Sequence, residues 1–222
     1  MVPNATVERV LRSVAPAIYV DRELVAGLLA SPPTPERILT MLSGASPSEA
    51  RAAVVYLGVC GTMQDGPVLA LCLRHPDEGV ARLAEHCLWG LWMRAGSEEG
   101  NRSLAEAVAA IRDNRVVYAA ALLERLTRLE PEFAEAWFQL GVARALLDQP
   151  ELAASAYRRA LEFNPYHFAA AASLGHAEVE LGRLPDALHN YRRAVRIYPR
   201  LEGVQELIDE LEARVRPRSD AG

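Results

Sequence analysis

From residue 100 onward, apolar residues recur three and four positions apart, with charged or polar residues between them. That spacing lays one apolar stripe along each of a series of amphipathic helices. Turn-forming breaks such as "LDQPE" and "LGRLP" divide the series into pairs, so the pattern predicts helical hairpins. The stretch also repeats itself at an interval of 34 residues. Leu140 and Gly141 return as Leu174 and Gly175, Tyr157 as Tyr191, and Ala160 as Ala194. Ala119, Ala153 and Ala187 form one series, and Pro131, Pro165 and Pro199 another. An interval of this size marks stacked units that bury their apolar faces against each other. The small residues let paired helices approach closely, the tyrosines fill the space between units, and each proline falls where a helix has ended.

A weaker interval of 31 runs through residues 20 to 94. It aligns Ile38 with Leu69, Met41 with Cys72, Arg51 with Arg82, Tyr56 with Cys87 and Leu57 with Leu88. Two more hairpins follow from it, "SPSE" and "HPDE" opening their second helices, with Ser46 or Ser48 and Asp77 as caps. An earlier pair of helices, about Val7 to Val14 and Asp21 to Ala30, completes the N-terminal block.

The segment "AWFQLGVARALLDQPELAASAYRRALEFNP", with Trp137, Leu140, Gly141, Ala153, Tyr157, Ala160 and Pro165, resembles the tetratricopeptide repeat family. The next unit matches except that Ala171 stands in place of the tryptophan. The preceding unit keeps Ala119 and Pro131, with Leu123 and Leu126 replacing its aromatic residue and second alanine. The first half resembles the short hairpin repeats of the HEAT-like class. Together these resemblances imply an all-α solenoid, with HEAT-like hairpins over residues 1–96 and a tetratricopeptide repeat domain over 97–222. The repeats would fall at about 100–133, 134–167 and 168–201. A capping helix would follow over 202–215, turning Val204, Leu207, Ile208 and Leu211 inward. The blocks meet near "AGSEEGN", too short for a floppy linker.

Composition narrows the function. Hydrophobic residues make up 50% of the 222 and charged residues 24%, the balance of a globular chain. The net charge of −5 is spread over both halves and concentrates no basic face, which argues against nucleic acid. All 24 basic residues are arginine, which excludes lysine Schiff-base chemistry and a phosphate-gripping lysine. No stretch reads as a secretory signal or membrane span, and three cysteines make no disulfide framework. A cytoplasmic protein that does not engage membranes is expected.

The hydrolase, zinc-protease, phosphate-loop and Cys-x-x-Cys motifs are absent from the sequence. The stretch "CLRHPDEGVARLAEHC" gathers Cys72, His75, His86 and Cys87. Cys72 and Cys87 occupy apolar registers, and His86 and Cys87 point about 100° apart on one helix, so repeat core is expected, with no metal and no cofactor. His167 and His189 are expected on helix surfaces, and Trp89 and Trp92 in the packing. No enzyme activity is expected.

In tetratricopeptide repeats the first helices of successive units line a groove. The resemblance places Leu104, Val108, Glu135, Phe138, Gln139, Val142, Ala172, Ser173 and His176 there. Relatives that clamp a C-terminal carboxylate use lysine and asparagine at several of these sites. Phe138, Val142 and Ala172 stand there in this chain, so the expected partner is a protein or peptide segment with hydrophobic anchors. Arg158, Arg159, Arg192, Arg193 and Arg196 form a ridge on the second helices, expected to be solvated and paired with acids. Two alternatives to a scaffold come with the resemblances: an accessory subunit or lyase-like enzyme of the HEAT-repeat type, and a self-assembling structural module.

Overall fold

The computed structural model describes residues 18–44 and 46–215, and contacts divide the chain into two compact units, Met1–Trp92 and Met93–Gly222. The described residues are all helical apart from turns, with twelve α-helices and no strand. The helix expected at about Val7 to Val14 lies outside the described residues.

In the first unit, α1 (Arg22–Ala30) starts at Asp21, whose Oδ1 accepts the Leu24 N–H at 3.0 Å. Helices α2 (Pro35–Ser43) and α3 (Pro47–Cys60) pack against each other, and α1 packs on α3. Ser46 rather than Ser48 caps α3, its Oγ accepting the Glu49 N–H at 3.4 Å. A single 3-10 turn, Met63–Asp65, leads into α4 (Gly66–Cys72), and α5 (Glu78–Met93) follows. Asp77 caps α5 through the Val80 N–H at 2.9 Å and is gripped by the Arg51 guanidinium at 2.8 Å. Helix α5 crosses α3 so closely at Gly58 that a Cβ there would overlap the Cys87 Sγ. Cys87 is therefore packing material, like Trp92, which is buried and meets the Trp89 ring edge-on at 5.2 Å.

The second unit stacks three hairpins and one further helix: α6 (Glu98–Arg112), α7 (Val116–Leu129), α8 (Ala134–Leu146), α9 (Pro150–Phe163), α10 (Phe168–Glu180), α11 (Leu184–Ile197) and α12 (Val204–Val215). Each helix packs on the next, and the first helices α6, α8 and α10 lie side by side. The turns inside the hairpins share one device. Asn114, Asp148 and Gly182, spaced at the repeat interval, sit in the left-handed region at φ 60°, 57° and 72°. Asn, Asp and Gly tolerate that conformation best. The following N–H then closes back on the helix, Arg115 to Ala110 O, Gln149 to Arg144 O and Arg183 to Glu178 O.

Gly141 and Gly175 face the tyrosine of their own hairpin. A Cβ at Gly141 would overlap the Tyr157 ring, and one at Gly175 would fall 2.6 Å from Tyr191 Cε1. In the first hairpin the same two registers hold Ala107 and Leu123, both fully buried. The smaller side chain on the second helix makes room for the extra methyl on the first, which explains why that unit departs from the pattern. In α12, Val204, Ile208 and Leu211 are buried in the registers of Ala170, Leu174 and Ala177. Where α8 and α10 carry glycine, α12 carries the exposed Asp209.

Candidate partner-binding groove

The face made by α8 and α10 is built around Phe138. Its side chain is 7% exposed and leans on two rings, His167 at 4.5 Å and Tyr157 at 5.9 Å between centroids. His167 is fully buried, which corrects the expectation of a surface histidine. Its register in the previous hairpin holds the buried Phe133, a sign of burial already present in the repeat. Nδ1 of His167 accepts the Ala170 N–H at 3.2 Å and so caps α10. That bond leaves the ring proton on Nε2, which points at Glu135 Oε2 from 3.1 Å. The other carboxylate oxygen accepts the Gln139 Nε2–H at 2.8 Å. A buried carboxylate is thus held by two donors, and the floor of the face is locked from one repeat to the next.

Two of the nine expected groove residues have almost no surface to offer a partner. Leu104, fully buried, belongs to the core of α6 and α7, and Glu135, 1% exposed, is consumed by His167 and Gln139. Both are corrected from partner contacts to supporting residues, because an inward register leaves no surface to offer. Val108 is half-buried against the same core. Gln139, Val142 and Ser173 are half-buried, Ala172 is nearly covered and His176 is exposed.

Around His176 the face turns polar. Tyr191 Oη lies 2.7 Å from His176 Nδ1. Burial holds Tyr157 and Tyr191 neutral, with their pKa values pushed up to about 12, and the nearby Glu180 carboxylate adds to the shift. Although the residue is exposed, partial desolvation of the His176 ring where it packs on Tyr191 lowers its pKa, Glu180 pulling the other way. Glu180 is thus the charge felt by all three groups.

The arginine ridge is largely engaged. Arg158 pairs with the buried Glu178, which also meets Arg183 at 3.2 Å. Arg159 pairs with Glu162 and covers Trp137, Arg192 holds Glu212 at 2.7 Å, and Arg193 donates to Pro165 O at 3.1 Å. The Cys72–Cys87 stretch is dispersed as well. Cys72 Sγ donates to Val68 O at 3.3 Å, burial lifting its pKa to about 11, while His75 Nδ1 accepts the Asp77 N–H at 3.0 Å. Among the described residues no three His, Cys, Asp or Glu side chains converge as metal ligands. Nor is any described helix long and apolar enough to cross a membrane.

Residues 104–168 match the family model described as tetratricopeptide repeat. No curated protein sequence matches the chain. Among solved structures, the first tetratricopeptide domain of Spaghetti bound to an HSP90 peptide aligns with a TM-score of 0.52 at 15% identity, covering 54% of this chain and 94% of that one. The tetratricopeptide domain of Sgt2 from Aspergillus fumigatus aligns at 0.51 and 16%, covering 57% and 89%. MamA aligns at 0.51 and 20%, covering 63% and 85%. At these identities the likeness is one of fold.

Proposed function

Since this chain is a tetratricopeptide repeat protein, matched over residues 104–168, we propose that it is a non-catalytic, cytoplasmic adaptor. It binds a partner protein's segment on the face of α8 and α10, within a repeat domain spanning about residues 97–222 and preceded by HEAT-like hairpins. The observation that carries this reading is the Phe138 floor. An aromatic ring, braced by His167 and Tyr157 and bordered by the half-buried Val142, is a rigid apolar anchor site flanked by accessible polar groups. Gln139, Ser173 and His176 supply those groups. That a structural neighbour, the Spaghetti domain, carries an HSP90 peptide is consistent with a peptide-binding role. The absence of lysine at the groove positions argues for a different peptide chemistry from a carboxylate clamp.

The test is an affinity capture from host lysate with wild type and with Val142→Arg, a change at a half-buried position that spares the Phe138 floor. A partner retained by wild type and lost by the variant, with unchanged circular dichroism, is the expected result. Capture of the same proteins by both variants would overturn the assignment of the groove.

A further inference from the structure

Charge along the face of α8 and α10 is one-sided. Helix α10 contains no arginine, and the single arginine of α8, Arg144, is occupied by Glu124 and by Gln149 Oε1 at 2.6 Å. Toward α12 the face becomes acidic. Glu180 closes α10, with an electrostatic reach that includes Tyr157, His176 and Tyr191. In α12 the buried registers match those of α10, so its exposed registers match too. Glu206 therefore takes the place of Phe138 and Ala172, and Glu210 the place of Val142 and His176. Glu206 is exposed, and Glu210 pairs with the exposed Arg214 at 3.8 Å. The arginines of the last two hairpins lie mostly on α9 and α11, where Glu162, Glu178 and Glu212 engage them.

A groove with an apolar floor at one end and exposed carboxylates at the other discriminates by charge. An acidic segment would bring its own carboxylates against Glu180, Glu206 and Glu210, while Arg144, the one arginine of α8 and α10, is already held by Glu124 and Gln149. A segment with lysine or arginine beside its apolar anchor meets attraction instead. Resting on the groove reading above, we propose that the occupant is a cationic, amphipathic peptide segment. Its apolar side chain seats on Phe138 and Val142, and its basic side chains lie toward Glu180 and α12. The acidic end sets orientation and association rate, and the apolar floor sets residence time.

The experiment is selection of a phage-displayed dodecapeptide library on the immobilised full chain, followed by fluorescence anisotropy of the recovered peptides. Enrichment of lysine or arginine next to apolar residues is expected. For those peptides, the triple variant Glu180→Gln, Glu206→Gln, Glu210→Gln should weaken binding roughly ten-fold, since three exposed ion pairs are lost together. It should also flatten the salt dependence, and Val142→Arg should abolish binding. Peptides that are acidic or neutral, lose binding in Val142→Arg and ignore the triple variant would overturn the charge inference and leave the groove standing. Peptides that bind Val142→Arg as well as wild type would remove the groove itself. A library that yields nothing above a blank surface would overturn both.

Discussion

Replacing Glu135 by Leu leaves the His167 Nε2–H facing an apolar side chain in a dry interior. The ring cannot answer by moving its proton, because Nδ1 is already the acceptor for the Ala170 N–H. An unsatisfied buried donor costs about 1–3 kcal/mol. The reverse change, His167→Phe, leaves a buried carboxylate with Gln139 as its one remaining donor, and breaking a buried pair from that side costs about 3–5 kcal/mol. The double variant removes both polar partners. Its residual cost is the lost helix cap, about 1 kcal/mol, because Phe133 in the equivalent register starts α8 with no side-chain cap at all. The two single costs therefore exceed the double by roughly 3 kcal/mol or more. Urea unfolding followed through Trp137, the one tryptophan of the second unit, measures all four corners of the cycle. Additivity to within about 0.5 kcal/mol would mean that the two side chains do not depend on each other, and would refute the locked floor.

The close approach of Gly175 to Tyr191 predicts that Gly175→Ala destabilises by about 1–3 kcal/mol through overpacking, against a helix-propensity gain of about 1 kcal/mol. Adding Tyr191→Leu, the pairing that Ala107 and Leu123 already use, should recover most of the loss in thermal unfolding, and failure to do so would refute the packing account. Tyr157 and Tyr191, raised to about 12 in the folded state from an ordinary value near 10, favour folding fully below pH 10 and lose that contribution between pH 10 and 12. Tyrosinate absorbance should then show Tyr157 and Tyr191 among the late-ionising tyrosines of the native protein, and all seven ionising normally in denaturant. Their ionisation near pH 10 without unfolding would contradict the burial. Cys60 is exposed while Cys72 and Cys87 are buried, so a thiol reagent should modify one cysteine rapidly and two only on unfolding. Fast reaction at all three would show the first unit to be open.

The hairpins of the second unit were legible because burial and spacing point the same way there. Glycines, alanines and tyrosines at a fixed interval have one geometric use, and the helices stand where that interval puts them. The breaks between helices were legible, but the turn device was not, because Asn114, Asp148 and Gly182 share tolerance of positive φ rather than identity. The site was read less well. Leu104 shares its repeat register with Phe138 and Ala172, yet it is fully buried where Phe138 still shows an edge. Register gives direction around a helix, not what stands opposite. His167 carries the same lesson, since its surroundings come from Glu135, 32 residues away.

The sequence by itself determined the helices, their pairing and the repeat, because those follow from local periodicity, helix stop signals and the size of residues at close approaches. Tertiary structure decided which of the expected groove positions remain surface, which histidine is buried, and which carboxylates are paired. Those outcomes depend on desolvation and hydrogen bonding between residues a full repeat apart, and no local pattern records them.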